Sequence, residues 1–465
     1  MALPVILVSS GSGSDTAASG AGPNNALSGS AGVTSADGLT VVLDGSPDLS
    51  GVATDGSHVL FMSDTTAGAR NFSKITGTAN SGTPTAQVTV ANAFQALNTD
   101  AWAIGGERAS LGSTTSAKLV ENNSGNGDAM PGWAMEFQSA HAETLAATLT
   151  LRRAGNATDG AIVIRGKDGA ATKPIITFSN NGNAFTLNAN YQAVDNFEMQ
   201  NTNGTKTASI AINIANYVVY TSVKRMKCSD STNKFWKFLK CYDTKGVIDS
   251  NYVKNCAHNG MELGSEGNLV VTIANNVIKS CGNIGIEFTY TNKIMVTLEN
   301  NIVAGCTGRG VDVGNTTSTG GGLTIRHNTF VSNGGDGLRI STSSNLYAVV
   351  VDSNISASNT GYGINWNVAA ALMSSLRHLM RNNGLYSNSS GGTNNGASVS
   401  EVTTDPTFTN VGSDDYSIGT NYKSLGYPIG GTLYLGVHSA TYNYVDPGAA
   451  QRKEFSARAR SMLGF

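Results

Sequence analysis

The chain has 465 residues, 40% of them hydrophobic and only 13% charged, with 55 Gly and a formal net charge of −2 from 30 bases and 32 acids. Enough apolar material for a core excludes wholesale disorder, and near-neutrality excludes a global electrostatic drive toward nucleic acid or anionic membrane. No apolar run approaches the roughly 18 residues of a membrane span, and the opening Met1 to Val8 is too short and lacks the basic flank of a secretion signal. The expectation is a protein made and assembled in a cytoplasm.

Residues 1–37, rich in Ser, Gly and Ala from residue 9 onward, read as an arm or loosely packed cap. Residues 38–110 carry short strands such as Leu39–Leu43 and His58–Met62 between Asp-Gly and Gly-Ser turns, which predicts a small β domain and a candidate anchor. Up to Arg108 the chain holds three bases (Arg70, Lys74, Arg108) and eight acids, a balance of −5. Residues 111–144 read as a connection.

A repeat dominates residues 145–395. Asn251, Asn276, Asn301, Asn328 and Asn354 follow one another at steps of 25, 25, 27 and 26, and Gly260, Gly285, Gly310, Gly337 and Gly363 keep the same steps. So constant a period means a solenoid. Within each unit apolar and polar residues alternate over short stretches, with Asn and Gly between them that tolerate left-handed turns. The prediction is all-β: about ten coils of a parallel β-solenoid, stacked about 4.8 Å apart into a rod about 50 Å long. Residues 396–450 read as a closing cap. Residues 451–465 form a basic tail in which Arg452, Lys453, Arg458 and Arg460 stand against Glu454, a net +3 suited to docking.

The frame Asn-x4-Asn/Cys-x3-Gly-apolar-x-apolar resembles the right-handed parallel β-helix superfamily. Two flanking segments share the resemblance: Val8-Ser9-Ser10-Gly11-Ser12-Gly13-Ser14-Asp15, and Asp405-Pro406-Thr407-Phe408 with Asp415-Tyr416-Ser417-Ile418. The stretch Tyr444-Val445-Asp446-Pro447-Gly448-Ala449-Ala450 is similar to closing segments of tailed-bacteriophage virion proteins of that superfamily. The resemblance implies a virion protein assembled in the host cytoplasm: a head decoration, tailspike or fibre. Its partners would be other capsid or tail proteins and further copies of itself, commonly as a trimer, with a host surface glycan as a further candidate.

Four places could carry chemistry. Glu262, Glu287 and Asp312 occupy one position of successive coils, continued by Arg339 and Asn365, so carboxylates would stand about 5 Å apart. Such a ladder is either a solvated face relieved by Arg339, a cation or glycan site, or a catalytic set for glycoside cleavage. Trp236, between Lys234 and Lys237 in Lys234-Phe235-Trp236-Lys237-Phe238, could stack a sugar, with Arg339 as a further glycan contact; Phe235 and Phe238 could equally seal the coil. Cys228, Cys256, Cys281 and Cys306 recur in line, where Asn333 and Asn359 replace them, which favours a packing stack over a metal site; Cys241 lies off that line. None of the six histidines lies between two glycines, and Gly337-Leu338-Arg339-Ile340-Ser341 lacks the lysine that galacturonan-cleaving relatives carry. The leading expectation is therefore a non-enzymatic structural protein without cofactor, metal, membrane or nucleic-acid partner. The alternative is a polysaccharide depolymerase, hydrolase or lyase, using Glu262, Glu287 and Asp312.

Overall fold

The computed structural model describes residues 5–8, 27–52, 54, 59–62, 72–91, 93–104, 107–108, 132, 134–139, 141–169, 172–204, 207–229, 232, 234–242, 244–316, 321–342, 348–368, 378–395, 401–408, 416, 434–435 and 441–442. All its regular structure is β: a parallel solenoid of about nine turns, close to the ten expected, and a small antiparallel domain. The chain divides into two compact units, Met1–Met199 and Gln200–Phe465.

In the first unit six antiparallel strands close a small barrel, in the order Leu27–Thr34, Thr40–Val42, Gln87–Val90, Phe72–Ala79, Val59–Met62 and Thr99–Ile104. Val41, Leu60, Ile75, Val88, Trp102 and Ile104 fill it. Trp102 is fully buried, and its indole Nε1 donates to Asp44 Oδ1 at 2.5 Å. Gly29 makes that contact possible, since a Cβ there would stand 2.3 Å from the indole nitrogen. The barrel therefore begins inside the segment expected to be an arm. Ser and Gly at 28–32 suggested flexibility, yet here small residues admit a large neighbour.

The barrel is also an insertion. Val5–Val8 pairs in parallel with Glu107–Arg108 and with Ala134–Phe137, which pairs in turn with Ile162–Gly166. Solenoid pairing thus starts well before residue 145, and Ala134–Phe137 and Ala142–Leu145 are strands within the expected connection. No repeat announced it, because the barrel separates the pairing partners in sequence.

The second unit is built of coils with three strands each. Lys237–Tyr242, Lys245–Asp249 and Tyr252–Lys254 make one coil, and their counterparts in the next are joined as Met261–Ala274 followed by Val277–Lys279. Every coil pairs in parallel register with the next. One inward row runs Cys241, Leu263, Phe288, Val313, Ile340 and Trp366, all essentially buried.

Two of each coil's corners are fixed by backbone chemistry. The short third strand is preceded by a residue of positive φ (Ser250, Asn275, Asn300, His327, Ser353, Asn382) and followed by another (Asn255, Ser280, Gly305, Ser332, Ser358, Ser387). Asn and Gly are the residue types that enter this region at least cost. Behind the first corner Asn251, Asn276, Asn301, Asn328, Asn354 and Asn383 stack inside the coil, each side-chain amide donating to the next Oδ1 at 2.8–3.1 Å. Behind the second corner stand Cys256, Cys281 and Cys306, and then Asn333 and Asn359 in the same row, Cys306 N donating to Asn333 Oδ1 at 3.1 Å. All five cysteines are buried free thiols. Contact with the neighbouring thiols, and burial, hold Cys256 and Cys281 well above the usual thiol range.

The glycine row has a steric cause. A Cβ on Gly260, Gly285 or Gly310 would approach the carbonyl oxygen of the next coil's glycine to 2.6, 2.6 and 2.5 Å.

Past the last coil, Val402 forms a parallel bridge with Gly384. Tyr434–Leu435 and Thr441–Tyr442 form a separate antiparallel pair. Residues 396–400, 409–415, 417–433, 436–440 and 443–450 of the expected closing cap, and the whole tail with Arg452, Lys453, Arg458 and Arg460, lie outside the described residues.

Candidate functional site

The ladder position is set by strand register. Lys240 pairs with Glu262, Glu262 with Glu287, Glu287 with Asp312, Asp312 with Arg339, and Arg339 with Asn365. Each side chain lies between two inward apolar neighbours, so strand alternation points all of them away from the core. They are nevertheless not a solvated face. Glu262 and Asp312 are 7% and 3% exposed, because neighbouring long side chains fold over them.

Each end of the acidic run is neutralised. Lys237 Nζ contacts Glu262 Oε2, and the Tyr242 hydroxyl donates to Oε1 at 3.0 Å. Arg339 grips Asp312 with two parallel bonds of 2.7 Å, and Arg309 Nη1 adds a third at 3.3 Å. Two parallel guanidinium bonds to one carboxylate are the strong form of this pairing. Arg309 also reaches Asp336, which accepts from Tyr362 N at 2.8 Å and Asn365 Nδ2 at 3.0 Å. Asp336, a turn residue in sequence, thus ties two coils together.

Glu287, in the middle, has no ion-pair partner among the described residues and accepts from the Asn259 amide. Burial pushes its carboxyl above the usual range, and the Glu262 charge adds to that. Glu262 goes the other way: burial opposes ionisation, but the Lys237 hydrogen bond and charge, with Tyr242, hold it below the usual range. Tyr242, buried beside Glu262, is pushed up to about 12. Two neighbouring carboxyls are therefore driven apart in acidity by different surroundings.

Of the residues expected to contact glycan, Lys237 is spent on Glu262 and Arg339 on Asp312. Trp236 is half-buried and stacks on His258, ring centroids 4.6 Å apart at 19°, so one indole face is already taken. Phe235 and Phe238 are fully buried and seal the coil. Lys234 is half-buried beside them. His258 receives Asn283 at Nε2 (3.3 Å), its Nδ1 has no hydrogen-bond partner among the described residues, and burial and Lys237 lower its pKa. Sequence reading missed Tyr242, Asn259, His258 and Arg309. Tyr242 was within reach, lying two positions beyond the Lys240 rung on the same outward side; the other three sit at corners, where no period marks direction. Among the described residues no group of three His, Cys, Asp or Glu is placed to hold a metal ion.

Residues 239–411 match the family model for a right-handed β-helix region. The coils that carry the ladder are thus β-helix coils, and the resemblance read from the Asn and Gly rows holds over this stretch. No curated protein matches the chain. Among solved structures, pectate lyase Pel9A is similar over 71% of this chain and 94% of its own, at 13% identity and a TM-score of 0.48. The Dettilon tailspike protein is similar over 59% of this chain and 63% of its own, at 12% identity and a TM-score of 0.31. The periplasmic alginate epimerase AlgG covers 61% and 66%, at 13% identity and a TM-score of 0.22. At such identities the likeness concerns fold alone.

Proposed function

We propose that the chain is a structural β-helix of a tailed-bacteriophage particle, carried on its surface where it decorates or braces the shell or contacts the host. One observation carries the non-catalytic part: the ladder's charged groups are spent on joining coils. Lys237 to Glu262 and Arg339 to Asp312 each connect one coil to the next, which stiffens a rod. The virion part is supported by the closing motifs Asp405-Pro406-Thr407-Phe408 and Tyr444-Val445-Asp446-Pro447. Docking through Arg452, Lys453, Arg458 and Arg460 and assembly as a homo-oligomer belong to the same proposal. Cryo-electron microscopy and mass spectrometry of purified source particles test it: a stoichiometric component with β-helical density is expected, and a protein found only free in the lysate would refute it.

A second reading, a glycan-cleaving surface, is favoured by the opposed acidities of Glu262 and Glu287. Adjacent carboxyls whose acidities are set apart by their surroundings are what acid-assisted glycoside cleavage requires. Replacing Glu262 and Glu287 by Gln and Asp312 by Asn together separates the readings. On the structural reading the variant loses the Lys237–Glu262 and Arg339–Asp312 ties and unfolds in less urea, and neither it nor the parent releases reducing ends from host polysaccharide; a depolymerase parent releases them and the variant does not.

A further inference from the structure

Residues 401–408 and Tyr416, which follow the last coil in sequence, lie back against the coils before it. Val402 N donates to Asn383 O at 2.9 Å and Val402 O accepts from Leu385 N at 2.8 Å, which covers the free edge of the last third strand, Gly384–Tyr386. The following contacts lie progressively further back. Phe408 meets Tyr416 edge to face at 6.0 Å. Tyr416, 3% exposed, packs with Ala304, Val331, Ile355 and Ala357, and Lys279 Nζ stands 5.0 Å over its ring. From Gly384 to the coil of Lys279 is four rungs, 384 to 355, 329, 302 and 277, or about 19 Å at the spacing of paired strands. The 14 residues from Val402 to Tyr416 span that distance easily.

The surface underneath changes character where it is covered. One outward row of the third sheet reads Lys254 and Lys279 on earlier coils, then Ala304, Val331, Ala357 and Tyr386. Bare, this flank would join an apolar stripe to an unpaired strand edge, the two features by which sheets recruit identical neighbours.

We propose that residues 401–408, with Tyr416, are an intramolecular latch that closes this flank and edge against a second copy of the chain. The third sheet of the later coils is accordingly not an assembly face of the native protein, and contacts between copies use other surfaces. The latch holds whether or not the protein belongs to a phage particle.

The test uses the full chain with three changes: the double variant Phe408→Ala with Tyr416→Ala, Val402→Pro, which removes the N–H that Asn383 accepts, and Tyr416→Phe as the conservative control. Hydrogen exchange reports release of 401–408, circular dichroism the β content, and light scattering the mass over a tenfold concentration range. Expected are faster exchange in 401–408, unchanged β content, a severalfold rise in a hydrophobic dye's emission and at least a doubling of mass for the first two variants, with Tyr416→Phe like the parent. Release of the segment without any rise in mass would overturn the proposal, as would unchanged exchange in both variants. Should the double variant lose its β signal, Val402→Pro, which leaves the packed side chains intact, decides alone.

Discussion

Trp102 in the barrel and Asn301 in the coils are both fully buried, yet they hold their regions together in different ways. Trp102 makes one polar bond, to Asp44, and otherwise contributes apolar area to a core whose six strands contact one another around a closed ring. Asn301 receives from the backbone and side chain of Asn276, and donates to Asn328 and to Ile273 O. A barrel core is shared by all its strands, whereas a solenoid transmits its bonds only to the coils above and below. Damage should therefore be global in the first case and local in the second.

The largest effect is expected from Asn301→Leu, which strands buried donors and acceptors on two neighbouring coils. At about 1–3 kcal/mol for each unsatisfied group, a loss of about 3–5 kcal/mol follows. Hydrogen exchange should accelerate around residues 273–276 and 326–328 while Thr40–Val42 and Gln87–Val90 keep their protection. Equal acceleration in the barrel strands would break the comparison. Next comes Arg339→Met, which leaves Asp312 with Arg309 alone. Because Arg339 is 28% exposed, about 2 kcal/mol is expected, below the roughly 3–5 kcal/mol of a fully buried pair, measurable by urea denaturation.

In the barrel, Trp102→Phe keeps most of the apolar contact and removes the bond to Asp44, at a cost of about 1–2 kcal/mol. All barrel strands should lose protection together. The smallest effect is expected from Glu287→Gln, which keeps an acceptor for Asn259. A carboxyl whose folded pKa is raised penalises the fold when ionised, so its neutral replacement should raise Tm at pH 7. The gain should shrink as pH falls through the raised value toward pH 4. A gain larger at pH 4 than at pH 7 would reverse the sign assigned to Glu287.

What could be read in the sequence follows the same division. The Asn and Gly rows were legible because each position repeats one physical requirement: an internal amide chain at Asn251 to Asn354, and contact too close for a Cβ at Gly260 to Gly310. The register of Glu262, Glu287 and Asp312 followed from the period alone. Their surroundings did not, because Lys237 and Arg309 reach the ladder along their own side chains from positions that no period relates to it. Within the first unit Val5–Val8 pairs across an inserted barrel, so the interval to its partner strand bears no relation to the period that marks the later coils.

The two left-handed corners have a consequence for how coil length varies. From ladder Asn to second-corner residue the count is always five (251 to 256, 276 to 281, 301 to 306, 328 to 333, 354 to 359), and from there to the glycine always four. From glycine to the next ladder Asn it is 16, 16, 18, 17 and 20 (260 to 276, 285 to 301, 310 to 328, 337 to 354, 363 to 383). All variation in length is confined to this arc, in which strand register also shifts, between Gly264 and Asn268 and between Val313 and Thr316. That arc is the natural place to graft a foreign peptide, since residues added there alter the outline of a single coil and leave the register of its neighbours untouched.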